Sequence, residues 1–241
     1  MVTERSYPGE AADPYCLRPG EAEKLLAGHP WRRFAVLGDS VAEGAGEPAP
    51  GYADEPWCDR IAAALRAHQP DLAYLNLGVG NTSAAQVRAT QLPTALVFAP
   101  DLALVACGGY DILQSAYDPA AVSAEIRAIV SALAGRGARV ITIGLFDRSY
   151  SPAVPEQFRK PLQERIHGLS QSTREIAKDL GTLHIDLTWH PAVPEPGLYS
   201  SDGRHNSMRG HAISAAEVIR GLGADLAKAD GQGQRQAEEQ R

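Results

Sequence analysis

Five short apolar runs, separated by longer segments of helical period, constrain the fold of this chain more than any other feature. Several runs are apolar at nearly every position, as in LALVA at 102–106 and VITI at 140–143, which is typical of strands covered on both faces. The predicted strands are residues 33–38, 73–77, 102–107, 139–145 and 183–187. Their alternation with helices predicts an α/β three-layer sandwich, with a five-stranded, mainly parallel sheet flanked by helices.

The segments between these runs repeat their apolar residues at spacings of three and four, as amphipathic helices do. Trp57, Ile61 and Leu65 share one helical face. The clearest helix spans 158–180, where an apolar stripe begins at Phe158 and charged residues occupy the other side. We expect a last helix at about 208–228.

The same reading divides the chain into three parts. Residues 33–228 form the predicted domain, and residues 1–32 form an N-terminal extension with a short helix at 19–27. The end of the chain, 229–241, is polar and free of aromatic residues, so we expect it to be disordered.

Composition limits the class of protein further. A chain of 241 residues with 44% hydrophobic and 22% charged residues suits one globular domain. Lys and Arg number 23 against 29 Asp and Glu, so the net charge of -6 argues against a nucleic-acid partner. The apolar stretches are shorter than the ~20 residues that span a bilayer, and residues 1–16 carry acids and prolines. We therefore expect a cytoplasmic protein without a membrane span.

Metal and cofactor motifs are missing from the sequence. The cysteines at 16, 58 and 107 have no C-x-x-C spacing, and there is no His-Glu-x-x-His, so we expect neither a disulfide framework nor a metal site. The GVGNTS segment at 78–83 lacks the third glycine of a dinucleotide fingerprint. We expect no cofactor.

The first strand is followed directly by Gly38, Asp39 and Ser40. Ligands of open α/β sheets bind at the carboxyl ends of the strands, so a serine at this turn is well placed to be a nucleophile. The alternative is that Asp39 or Ser40 only caps a helix.

Near the end of the chain, Asp202 and His205 lie three residues apart, before the last predicted helix. This spacing allows the carboxylate to orient the imidazole while the other ring nitrogen points outward to a serine. The alternative is an ordinary surface loop, because an Asp-x-x-His pair alone is a weak signal.

Three blocks together give the chain a clear resemblance to the GDSL or SGNH hydrolases. They are GDS at 38–40 with its EGAG continuation, NLGVGNT at 76–82, and DGRH at 202–205 with the following RGH. The resemblance implies a flavodoxin-like three-layer fold with Ser40 as nucleophile, His205 as base and Asp202 as its support. It also implies that the backbone N–H of Gly80 donates to the oxyanion, beside that of Ser40.

The third block departs from the family pattern. The family carries Gly-x-Asn-Asp, whose Asn amide binds the oxyanion, whereas this chain reads GGYD at 108–111. Loss of one oxyanion donor costs on the order of 100 to 1,000-fold in turnover. Either Tyr110 lines the acyl or alcohol pocket and leaves the oxyanion to Ser40 and Gly80, or its hydroxyl donates directly. We expect substrate contacts from Tyr110, Asp39, Asn81 and Phe146.

The sequence thus predicts a serine hydrolase that cleaves a small-molecule carboxylic ester or thioester through an acyl-enzyme. Two alternatives stay open. One is an acyltransferase that uses the same site on a specialised metabolite, and the other is a non-catalytic binding module on the same fold.

Overall fold

The structure of the protein, a computed structural model, describes residues 7–239, and its centre is a parallel sheet of five strands in the order β3-β1-β4-β5-β6. A two-residue pair, β2 with β7, lies apart from this sheet. The strands are β1 (Arg33–Gly38), β2 (Gly46–Glu47), β3 (Ala73–Asn76), β4 (Leu102–Ala106), β5 (Arg139–Gly144), β6 (Leu183–Asp186) and β7 (Asn206–Ser207). The predicted five-stranded α/β fold is confirmed, and no predicted strand differs by more than one residue from the observed bounds.

Helices cover both faces of the sheet. In one layer α3 packs against α8, and in the other α6 packs against α7, which also contacts β5 and β6. The helices are α1 (Glu21–Leu25), α2 (Ser40–Glu43), α3 (Trp57–Arg66), α4 (Ala84–Gln86), α5 (Leu92–Phe98), α6 (Pro119–Ala134), α7 (Glu156–Leu180) and α8 (Met208–Glu239). A π-helical turn, Val87–Gln91, joins α4 to α5. Within residues 7–239, none of these helices combines the length and apolar character needed to cross a bilayer.

The core lies on both faces of the central strands. Every residue of β4 is buried, and so are the last five residues of both β1 and β5. This explains why these strands are apolar at consecutive positions, since an alternating pattern would place polar groups under one helical layer. The carboxyl ends of β1, β3, β4 and β5 consequently share one edge of a rigid sheet.

Two helices differ from the sequence prediction at their ends. The last helix continues through residues 229–239 and ends at Glu239, beyond the predicted end at about residue 228, while residues 240 and 241 lie outside the described part. The Ala, Gln, Arg and Glu residues of this stretch favour helix, and a helix already anchored needs no new nucleus to grow. In α7, Phe158 is 58% exposed rather than inward, because the first turns of this helix are exposed.

The N-terminal extension packs onto the domain. Its helix α1 contacts α8, and the buried Asp13 pairs with Arg209 of α8 through Oδ2 and Nε at 2.7 Å. Asp13 also accepts a hydrogen bond of 2.7 Å from the Tyr52 hydroxyl. The extension therefore contributes a buried ion pair beneath the loops that follow Ser40.

Candidate active site

The turn between β1 and α2 positions Ser40 as the first residue of a helix. Gly38 has φ 151°, and a Cβ built on it would lie 1.9 Å from the carbonyl oxygen of Ala106, so only glycine fits beside β4. Asp39 is the N-cap of α2, and its Oδ1 accepts from the backbone N–H of Val41 at 3.0 Å. Its Oδ2 accepts from the N–H of Tyr110 at 2.9 Å. Asp39 thus caps the helix, as the alternative interpretation of this turn expected, and joins the loops after β1 and β4.

A buried arginine lies next to this carboxylate. Burial raises the pKa of Asp39, while the N–H groups of Val41 and Tyr110 and the charge of Arg148 oppose that rise. Burial in turn lowers the pKa of Arg148, and Asp39 opposes that change. Arg148 Nη1 donates to the carbonyl oxygen of Arg204 at 2.7 Å. The guanidinium therefore lies between the turn at Gly38–Ser40 and the loop that carries His205.

Asp202 and His205 form a close hydrogen-bonded pair on that loop. His205 Nδ1 lies 2.5 Å from Asp202 Oδ2, and Asp202 Oδ1 accepts from the N–H groups of Arg204 and His205 at 2.8 and 3.0 Å. Burial favours the neutral carboxyl of Asp202, but these hydrogen bonds outweigh it and lower the pKa. Asp202 is therefore an ionised partner for the Nδ1–H of His205, which leaves Nε2 as the ring nitrogen without a proton.

The serine turn and the histidine loop are tied together by the smallest sheet of the fold. Gly46 and Glu47 pair in parallel with Asn206 and Ser207, directly after α2 and directly after His205. Glu47 also accepts from Ser201 N at 2.8 Å and from Ser201 Oγ at 2.5 Å. Among the described residues, nothing is hydrogen-bonded to Ser40 Oγ, so the structure brings the two loops together without a closed Ser40–His205 hydrogen bond.

The loop after β3 approaches Ser40 from the other side. A Cβ built on Gly80 would lie 3.7 Å from Ser40 Cβ. The N–H of Gly80 donates to Glu43 Oε2 at 2.9 Å, although the sequence interpretation reserved this group for the oxyanion. Asn81, the next residue, has φ 57° and an exposed side chain.

Phe146 and Tyr110 occupy different parts of the site. Phe146 lines a small cleft together with Arg148 and His205. Its other lining residues are mostly apolar and include Trp57, Leu145 and Leu187. Tyr110 is half-buried beyond β4, and its N–H donates to Asp39 in the turn at Gly38–Ser40.

His211 is a structural residue beside this cleft. Its Nδ1 accepts from the backbone N–H of Trp57 at 3.2 Å, and its Nε2 lies 3.2 Å from the carbonyl oxygen of Ala45. Burial lowers the pKa of His211 to about 4, so the neutral ring caps α3 and braces the loop after α2.

Two supporting residues have no signal in the sequence. Gln91, on the π-helical turn, donates to the carbonyl oxygen of Gly38 and accepts from its N–H, both at 2.9 Å. Glu47 fixes the histidine loop through Ser201. Each residue and its hydrogen-bond partner are more than fifty positions apart in the sequence, and neither residue belongs to a recognisable motif. Only the folded structure therefore reveals these two roles.

Residues 36–213 match the GDSL-like Lipase/Acylhydrolase family. This match covers more than half of the chain and includes all the elements that meet at the site. The chain therefore belongs to this family, and it is an ester-hydrolysing enzyme.

Solved structures support the same fold. Axe2, an acetylxylan esterase from Geobacillus stearothermophilus, is 18% identical with a TM-score of 0.64, covering 80% of this chain and 94% of that one. A lipase/acylhydrolase from Enterococcus faecalis is 19% identical with a TM-score of 0.62, covering 80% and 96%. LAE5, an alpha/beta hydrolase from the metagenome of Lake Arreo, is 16% identical with a TM-score of 0.64, covering 80% and 95%. The curated proteins contain no match to this chain.

Proposed function

We propose that Ser40, His205 and Asp202 are the catalytic triad of a cofactor-independent esterase that works through an acyl-enzyme. The observation that carries this proposal is the 2.5 Å contact of His205 Nδ1 with Asp202 Oδ2, on a loop that β7 ties to the segment after Ser40. Such a pair orients the ring and stabilises its protonated form. Acylation and deacylation both need that ring.

In acylation, Ser40 Oγ attacks the ester carbonyl carbon while His205 Nε2 takes the hydroxyl proton. The C–O bond to the alcohol then breaks, and His205 returns the proton to the leaving alkoxide. Because Ser40 Oγ has no hydrogen bond within residues 7–239, substrate binding is expected to close the Ser40–His205 contact. Catalytic hydrogen bonds often tighten only in the substrate complex.

In deacylation, His205 removes a proton from water, which attacks the acyl carbon of Ser40. The tetrahedral intermediate collapses, Ser40 Oγ leaves, and His205 Nε2 returns the proton to it. Asp202 stays ionised throughout and supports the imidazolium in both halves of the reaction.

The lining of the small cleft beside His205 indicates the chemical character of a group that would bind there. Its walls combine apolar side chains such as Leu145 and Phe146 with the charged Arg148. Pockets of this kind bind a mainly apolar group and orient it through a few polar contacts. We propose short-chain carboxylic esters or thioesters as substrates, and acetylated sugars belong in the test panel because Axe2 is an acetylxylan esterase.

The test is fluorophosphonate labelling, read as an intact mass shift, combined with hydrolysis of 4-nitrophenyl esters of increasing chain length. Wild type is expected to take up one label and to hydrolyse the shorter esters, and Ser40→Ala is expected to do neither. Ser115→Ala is the matched control, because Ser115 is an exposed serine outside the site. Hydrolysis by Ser40→Ala at the wild-type rate would contradict the proposal.

The same proposal includes a cytoplasmic location. All three cysteines are buried thiols, as suits a reducing compartment. Fractionation of cells that express the protein tests this, and recovery from the membrane or the medium would contradict it.

A further inference from the structure

An ester hydrolase must stabilise the negative charge that develops on the carbonyl oxygen, and the backbone N–H of Gly80, which the sequence predicted as one donor, is hydrogen-bonded to another group here. The N–H of Gly80 donates to Glu43 Oε2 at 2.9 Å. The N–H of Tyr110 donates to Asp39 Oδ2 at 2.9 Å. As the first residue of α2, Ser40 has an N–H with no acceptor in the helix, so the first oxyanion donor is in place and the second is missing.

The contact between Glu43 and Gly80 is part of how the loop after β3 packs on α2. Asn76 Nδ2 donates to the carbonyl oxygen of Ala42, and Asn76 Oδ1 accepts from Gly78 N–H, both at 2.9 Å. A Cβ built on Gly78 would lie 2.3 Å from the backbone nitrogen of Glu43. Because the loop lies directly on the helix at several points, Glu43 is a positioning residue for Gly80.

Asn81 offers a free donor at this place. Its φ of 57° is in the left-handed region, which only one other non-glycine residue, Ala99, adopts within residues 7–239. Such conformations cost on the order of 1 kcal/mol and cluster at functional sites. The Asn81 amide has no hydrogen-bond partner among the described residues. Gly80, just before it, is the residue whose built Cβ would lie 3.7 Å from Ser40 Cβ.

We propose that the side-chain amide of Asn81 is the second oxyanion donor and acts with the N–H of Ser40 in place of the Gly80 N–H. This inference rests on the proposed function, because it assigns a role within the same reaction. Asn81 Nδ2–H donates to the oxygen of each tetrahedral intermediate, and no proton is transferred.

Two variants remove the donor and spare the loop. Asn81→Gly removes the amide and keeps a residue that adopts positive φ readily. Asn81→Asp keeps the shape but replaces the amide donor with a carboxylate acceptor. In both, kcat for a short 4-nitrophenyl ester is expected to fall on the order of 100 to 1,000-fold with little change in KM. The inhibition constant of an alkyl boronic acid is expected to rise in parallel, because its tetrahedral adduct mimics the intermediate.

The matched control is Ala99→Gly, the same substitution type at the other left-handed residue, and it is expected to leave kcat unchanged. Melting temperatures verify that the variants are folded. If both Asn81 variants keep kcat within a few-fold of wild type while Ser40→Ala is inactive, the role of Asn81 is wrong and the triad stands. If Ser40→Ala stays active, the triad is wrong and the role of Asn81 falls with it.

Discussion

Single residues in the turn at Gly38–Ser40 serve both the fold and the candidate site. Gly38 lets β1 pass against Ala106 of β4, and Asp39 then closes the first turn of α2 while holding the N–H of Tyr110. The position of Ser40 is therefore set by two neighbours. Gly38 has no room for a side chain, and the Asp39 carboxylate is held by two backbone N–H groups.

Gly38→Ala is expected to destabilise the protein by about 3 kcal/mol or more, because its Cβ would lie 1.9 Å from a backbone oxygen in a well-packed sheet. Urea unfolding measures this. The control is Gly137→Ala, which shares a positive φ but has no atom within 4 Å of its Cβ, and is expected to cost only about 1 kcal/mol. Equal costs for the two would show that backbone conformation, and not the contact with β4, limits position 38.

Arg148→Met is expected to cost about 3 to 5 kcal/mol, because it leaves the buried Asp39 carboxylate without its neighbouring charge. It also removes the donor that holds the carbonyl oxygen of Arg204. The free energy of unfolding and kcat should therefore fall together. Arg127→Met removes an exposed ion pair with Asp179 and should change stability by less than about 1 kcal/mol. A stable but inactive Arg148→Met enzyme would instead assign this arginine to the chemistry.

At the scale of elements, the π-helical turn between α4 and α5 supports the end of β1, which precedes Ser40. It places the buried Gln91 side chain against the end of β1, where the amide satisfies the N–H and the carbonyl oxygen of Gly38. A π-helical turn shifts a side chain relative to a regular helix, and such turns are frequent at functional sites.

Gln91→Leu is expected to lower the free energy of unfolding by about 2 to 4 kcal/mol, since two buried backbone groups lose their partners. The comparison is Gln171→Leu on α7, where the lost contact is an exposed hydrogen bond to Glu175. The urea midpoints of the two variants measure this difference in stability. A Gln91→Leu protein as stable as Gln171→Leu would mean that solvent replaces the amide.

At the scale of the whole molecule, His211 joins α8, the start of α3 and the loop after α2. Its Nδ1 accepts a hydrogen bond from the backbone N–H of Trp57. If the ring became protonated, the new proton on Nδ1 would point at that N–H and the hydrogen bond would be lost. His184 is half-buried, next to the Thr142 hydroxyl at 2.9 Å, and partial burial lowers its pKa to about 4. Both rings are neutral in the folded protein over a range where the unfolded chain binds protons.

The free energy of unfolding should consequently decrease as the pH is lowered from about 6.5 to 4, because the unfolded state binds more protons in this range. For His211, with a folded pKa of about 4, the loss from pH 7 to pH 5 is about 2 kcal/mol. His211→Gln keeps an acceptor and a donor but does not titrate, so this part of the slope should disappear. Urea unfolding of both proteins at the two pH values measures the difference. An unchanged slope would contradict the assignment.

Much of the fold could be predicted because burial leaves a direct trace in the sequence. The strand runs at 102–106 and 139–144 are apolar at consecutive positions since each is covered on both faces. The exposure of Phe158 could not be predicted this way, because periodicity identifies a helical face but does not show where the partner surface ends. Composition likewise does not predict where a helix such as α8 ends, because a helix that is already anchored can continue through polar residues.

The sequence by itself determined the order of the elements, the family, and which chemical groups stand at the strand ends, because these depend on local pattern and motif. Only the tertiary structure decided how those groups are engaged. It placed Gly80 N–H on Glu43, Arg148 beside Asp39, and Gln91 on Gly38. Such pairings join residues distant in sequence, and a hydrogen bond depends on distance and direction in space, which no local pattern encodes.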